Sequence, residues 1–353
     1  MAQVPPRHGP PSHVFAVRVG RVPEASSTEG VNAAGGSSNG RTRPRADGLR
    51  SGGAVSEAPA GNAAIEVFAI FGPTASGKTA VAEALARRLG TDVVSADAMQ
   101  VYRGLPILTN QPASTTRLVG IRSLDETMSL GAFALLAHGE IDDLVEHRGA
   151  TVVAGGTGLY LRAALAELDV PPRADDDMRK RIRYEVELHR AAAHERLARL
   201  DPAAAAVVHP HDTKRLVRAL ELAESGRSLV SGQDRLWSGT MRRPTRVYGL
   251  DVPPALLEER IRRRTEEMFA RGVEAEVHAA LRRPLSPTAE KTLGLAEIAG
   301  LDREEALERI VVRTRRYAAY QRKWMRRIPG LVLVDGTRPA EQLAAEIVHE
   351  ARM

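Results

Sequence analysis

The chain has 353 residues, 43% hydrophobic and 27% charged, which is too long for one small single core, and the absence of Cys excludes disulfide frameworks, zinc ribbons and every other thiolate site. Its formal charge of +6 favours an anionic partner, but residues 1–62 hold seven Arg against four acids, so half of the excess lies there and bulk basicity decides little. Apolar stretches of about 5–7 residues fall well short of the ~20 that span a bilayer, and residues 1–20 lack the apolar core of a secretory signal, so a cytoplasmic protein without membrane contact is expected.

In chain order, residues 1–62 are rich in Pro, Gly, Ser, Ala and Arg without periodicity and are expected to form a disordered tail. A sparse Arg-rich segment can resemble an organelle transit peptide, but the four acids and heavy Gly/Pro content argue against an amphipathic helix, and a misplaced start codon accounts for it equally well. From Ile65, short β-branched runs alternate with helical patterns. These are a strand at 65–71, a helix through Leu89, a strand at 92–96, a helix near 131–147, a strand at 151–154 and a helix through Glu167. The alternation predicts an α/β fold with a parallel sheet. Strands at Arg246–Asp251 and Leu331–Val334 would complete the sheet, with a long basic helix from Pro254 to Arg283 and another helix near 303–327 between them. Residues 171–243 show helical periodicity and no strand, which predicts an all-α insertion domain between two parts of the core, 63–170 and 244–353.

Gly72, Pro73, Thr74, Ala75, Ser76, Gly77, Lys78 and Thr79 form a G-x-x-x-x-G-K-[ST] loop after an apolar strand and before a helix. There, backbone N–H groups and the helix N-terminus cradle phosphate, Lys78 adds a point charge, and the Thr79 hydroxyl can ligate Mg²⁺. The core is thus P-loop NTPase-like, and ATP is the default occupant, although no later apolar strand ends in a clear Walker B acid. Asp97 ends the next strand, where ligands of open α/β sheets bind; it suits a general base, a Mg²⁺ ligand or a helix cap. The following strand ends in Gly155-Gly156-Thr157-Gly158, so three strand ends converge on one crevice.

Between Val311 and Pro329 lie seven cations and no acid, with Tyr317, Tyr320 and Trp324 at i, i+3 and i+7. That stripe suits either stacking on an unpaired base or burial of a terminal helix. His209 and His211 have no third metal ligand nearby in sequence and read as a loop before a helix.

The blocks GPTASGKT, SADAMQVYRGLPI, GGTGLYLRA, HPHDTKRLVRALEL, LLEERIRRRTEEMFARG and RTRRYAAYQRKWMRR, in this order over about residues 65–335, resemble those of the tRNA dimethylallyltransferase (tRNA isopentenyltransferase) family. The resemblance implies transfer of a dimethylallyl group from dimethylallyl diphosphate to N6 of the adenosine 3′-adjacent to a tRNA anticodon. The loop then holds the donor's diphosphate instead of ATP, with Mg²⁺ as cofactor and a monomer as the working form. It assigns Asp97 as general base and Thr157 as a hydrogen-bonding group near the bridging oxygen or the amine. Lys78, Arg260 and Arg264 fall to the diphosphate. Asp97, Ala98, Met99, Gln100, Thr157, Arg179, Lys214, Arg215, Arg218, Gln321, Arg322, Lys323 and Trp324 fall to the anticodon stem-loop.

Gln111, Leu295, Ala296, Ala319 and Tyr320 depart from the family's usual residues. Two alternatives share the cradle: an adenylate isopentenyltransferase acting on free nucleotide, and a P-loop small-molecule kinase.

Overall fold

The computed structural model describes residues 64–112, 116–167, 175–230 and 241–351. The predicted tail and parts of the predicted insertion boundaries, 171–174 and 231–240, lie outside the described residues. Strand β1 (Val67–Phe71) is buried at all five positions. Val67, Ala69 and Phe71 enter one hydrophobic core while Phe68 and Ile70 enter another, so the continuous apolar run marks a strand covered on both faces.

The other strands are β2 (Val93–Ser95), β3 (Thr116–Arg117), β4 (Thr151–Gly155), β5 (Thr245–Asp251) and β6 (Val332–Asp335). All six are parallel, in the order β3-β2-β4-β1-β5-β6. The fold is an open α/β sheet, and the carboxyl ends of β2, β4 and β1 lie side by side.

Helix α1 (Lys78–Leu89) covers one face with a C-terminal helix that the periodicity missed; α2 (Leu130–Arg148) and α3 (Gly158–Leu165) cover the other. Four helices follow: α4 (Asp176–Leu188), α5 (Arg190–Leu200), α6 (Pro202–Val207) and α7 (Thr213–Glu224). They enclose a core of their own, including Ile182, Leu197, Leu216 and Leu220. Asp175, Asp201 and Asp212 accept backbone N–H bonds at the starts of α4, α6 and α7.

The predicted long helix is two, α8 (Pro254–Ala270) and α9 (Val273–Ala280), broken at Gly272 with φ +86°. A short α10 (Leu295–Gly300) precedes α11 (Arg303–Met325), which is capped by Asp302, begins with Glu304 and Glu305 and ends with Arg322 and Lys323, in the sense the helix dipole favours. Helix α12 (Ala340–Glu350) closes the α1 face, where Glu341 pairs with Arg87 at 2.5 Å and Arg88 at 3.2 Å. Among the described residues, no helix is long and apolar enough to cross a membrane.

Candidate active site

The loop between β1 and α1 carries two left-handed residues, Ala75 with φ +66° and Gly77 with φ +91°. A left-handed alanine is uncommon, and such strain clusters at ligand clamps. The turn puts Lys78 at the first position of α1 and buries Ser76, whose Oγ has no hydrogen-bond partner among the described residues.

Arg260 on α8 reaches this loop: its Nη1 donates to the Ser76 carbonyl at 3.5 Å and to that of Gly336 at 3.4 Å, both at the long limit. One turn on, Arg264 faces Lys78 and Asp97, and its buried Nε is without a hydrogen-bond partner among the described residues. Buried polar atoms are nearly always paired, so an orphan hydroxyl and an orphan guanidinium N–H beside a phosphate-type loop mark a cradle shaped for an anion.

The electrostatics agree. Burial pushes the Lys78 ammonium down from 10.5 to about 8, Asp97 partly restores it, and Arg264 adds to the lowering. Burial likewise lowers Arg264, against the pull of Asp97. Positive charge is thus gathered in a partly buried place beside Asp97.

That carboxylate lies two residues beyond β2. Its Oδ1 accepts from Met99 N–H at 2.9 Å and Gln100 N–H at 3.4 Å, fixing the turn, while Oδ2 has no hydrogen bond among the described residues. Asp97, Lys78, Thr79, Glu83, Ser95 and Gln100 line one crevice. Gln100 is spent on structure: its amide donates to the carbonyls of Asn110 and Thr109, and its Oε1 accepts from Ser95.

At the end of β4, Thr157 sits at the cap position of α3 but makes no capping bond. Its Oγ1 instead lies 2.8 Å from the Tyr317 hydroxyl of α11. Burial, reinforced by Asp97, pushes the Tyr317 phenol up to about 12; burial with Tyr102 and Asp97 does the same to Tyr160.

The residues assigned to RNA fall into two groups. Arg179 and Arg218 flank the buried Glu221, at 3.4 and 3.0 Å, and so tie α4 to α7. Lys214 and Arg215 are exposed on α7, and Lys214 lies against Lys291, whose ammonium is lowered first by burial and then by that charge. On α11 the run of cations has acids in space that it lacks in sequence: Arg313 pairs with Glu297, Arg315 with Glu258 at 2.8 Å and Arg322 with Asp251 at 3.1 Å. Arg316, Lys323 and Arg326 are exposed without an ion pair among the described residues, and Arg327 stands 5.8 Å over the Trp324 ring.

The aromatic stripe divides. Tyr320 is 52% exposed and edge-on to Trp324, whereas Tyr317 and Trp324 are partly buried. Gln321, assigned to RNA by resemblance, is 2% exposed and accepts from Thr74 N–H of the phosphate loop at 2.8 Å. Sequence reasoning missed that contact: the i, i+4 spacing puts Gln321 on one helix face with Tyr317 but does not say which way the face turns.

Of the departing residues, Gln111 donates to the Tyr102 and Gln100 carbonyls and Leu295 is buried, while Ala296, Ala319 and Tyr320 face solvent.

Comparison with known proteins gives a consistent picture. The IPP transferase family model matches residues 100–328, and an isopentenyl transferase model matches residues 65–124. A tRNA dimethylallyltransferase of Anaeromyxobacter sp. (strain Fw109-5) is 41% identical over 296 residues, covering 80% of this chain and 98% of that protein. One from Mycolicibacterium gilvum is 36% identical, covering 77% and 92%. Among solved structures, the full-length tRNA isopentenylpyrophosphate transferase of Bacillus halodurans superposes with a TM-score of 0.58 at 29% identity, covering 81% of this chain and 97% of its own. A eukaryotic dimethylallyltransferase acting on tRNA gives 0.70 at 25% identity, covering 81% and 79%.

Proposed function

The chain belongs to the IPP transferase family, and from that premise we propose a mechanism for the transfer it performs, of a dimethylallyl group from dimethylallyl diphosphate to N6 of the adenosine 3′-adjacent to the tRNA anticodon. One observation supports the residue assignment above all: the orphaned, positively charged cradle around Lys78 and Arg264 shares a crevice with Asp97, and Thr157 lies on the neighbouring strand end.

In this reading the diphosphate seats on the loop N–H groups, Lys78, Arg260 and Arg264. N6 attacks the allylic C1; the C–N bond forms as the C–O bond to diphosphate breaks, and the bonding pair leaves with the diphosphate. Asp97 Oδ2 takes the proton that N6 must lose, and Thr157 hydrogen-bonds the departing oxygen. The oxygen donors Thr79, Asp97 and Glu83 of the crevice suit Mg²⁺, which when bound neutralises charge on the diphosphate. Helices α4 to α7 act as the insertion that meets the anticodon arm through Lys214 and Arg215, and Arg316, Lys323 and Arg326 extend that surface along α11 and its C-terminal cap.

The acceptor is tested by offering labelled dimethylallyl diphosphate and Mg²⁺ with unmodified tRNA bearing an adenosine 3′ to its anticodon, with AMP, or with no acceptor. Label on tRNA alone is expected; label on AMP, or ATP consumption without transfer, rejects the reading. Arg264→Ala is expected to raise KM for the donor about 100-fold, the range for a lost bond to a charged group, with tRNA affinity unchanged. Arg260→Ala, whose contacts are longer, is expected to raise it about tenfold.

A further inference from the structure

Three residues on one face of α11 enter the site. Tyr317 meets Thr157, Gln321 meets the phosphate loop, and the Trp324 ring packs so closely on α3 that a Cβ at Gly158 would stand 2.6 Å from it. A Cβ at Gly156 would collide with the Gln321 amide, so the paired glycines of the β4 turn make room for this face of the helix. Positions i, i+4 and i+7 form a continuous stripe, while Arg316 and Lys323 leave the same helix, and Arg326 its C-terminal cap, toward solvent.

The contacts are chemically specific. Thr74 N–H belongs to the loop whose amides face an anion, and Gln321 answers it with a neutral oxygen. That fixes the loop without placing negative charge against the diphosphate. The Tyr317 phenol, pushed up to about 12, keeps its proton across the working range, and its hydroxyl stands 2.8 Å from Thr157 Oγ1. Either hydroxyl can supply the shared proton; when the phenol does, the Thr157 proton is left for another acceptor.

We propose that Gln321 and Tyr317 are positioning residues, Gln321 holding the diphosphate loop at Thr74 and Tyr317 orienting the Thr157 hydroxyl, so that the RNA-facing helix sets the geometry of the leaving group. The proposal rests on the reading above for its Tyr317 half; the Gln321 half concerns diphosphate binding alone.

The test uses the full chain in three variants. Calorimetric binding of inorganic diphosphate is expected to weaken about tenfold in Gln321→Met, the loss of one hydrogen bond, and further in Gln321→Glu, which keeps an acceptor but adds charge. The affinity of both variants for tRNA should stay within twofold. Tyr317→Phe is expected to lower kcat about tenfold, with KM for donor and tRNA within twofold and thermal unfolding within a few degrees of the parent. Diphosphate binding unchanged in both Gln321 variants, or a loss confined to tRNA affinity, overturns the Gln321 half. An unchanged kcat in Tyr317→Phe, or a loss tracking a large fall in thermal stability, overturns the Tyr317 half. An unmodified protein that transfers nothing to tRNA rejects the functional reading instead, and the diphosphate titration still decides Gln321.

Discussion

Lys78→Met is expected to lose about 10³-fold or more in kcat/KM while unfolding at the same temperature as the parent chain or higher. The first half follows from charge: when diphosphate departs, the ammonium buried against it is worth far more than one in water. The second half follows from linkage. The folded pKa of about 8 lies below the ordinary 10.5, so between those values the unfolded chain binds more protons than the folded one. Stability from this group therefore rises with pH across that window, and its penalty is fully present below pH 8. Methionine keeps the stem and removes the buried charge. The same pKa sets a pH profile: kcat/KM for the donor, which reports the free enzyme, should fall as pH rises through about 8 and the ammonium is lost. Bound diphosphate favours the charged form, so the fall in kcat belongs at higher pH. Thermal melts and pH–rate profiles check both; a variant that is markedly less stable would show Lys78 to be structural.

The sequence made the cradle legible because its chemistry is local. A strand, a glycine-bearing loop, Lys78 and Thr79 are contiguous, and five buried positions in a row announce a strand covered on both faces. The helical segment with its own core was legible for a similar reason, since Ile182 with Val186, Ala193 with Leu197 and Leu216 with Leu220 stand at i, i+4. Contacts across elements were not. Nothing in the acid-free run of α11 says that Glu258, Glu297 and Asp251 stand opposite Arg315, Arg313 and Arg322. Nor does it say that Gln321 turns inward: the neighbours Tyr320 and Lys323 are exposed, and only the rotation of the helix against β4 separates them. The strand β3, two residues long, offers too few positions for a period to register. The break between α8 and α9 was hidden because both flanks of Gly272 keep the same apolar face; a positive φ decides it, and periodicity does not see φ.

Asp97→Asn separates the remaining role. Asparagine keeps an oxygen for the N–H groups of Met99 and Gln100, so the turn after β2 survives, and it removes the base while leaving size nearly unchanged. A positioned general base contributes about 10²–10⁴-fold, and kcat is expected to fall within that range. Affinity should not fall with it. The carboxylate shares its crevice with the phosphate loop, and taking away a like charge from a bound diphosphate leaves the attraction of Lys78 and Arg264 unopposed. Inorganic diphosphate titrated without divalent metal should therefore bind the variant at least as tightly as the parent, and tRNA should bind equally. Weaker diphosphate binding that appears only with Mg²⁺ present would instead identify Asp97 as a metal ligand. A kcat within tenfold of the parent would mean that the N6 proton leaves by another route, and the base would have to be sought elsewhere on the crevice wall. Glu83, the other carboxylate lining it, is then the group to replace next.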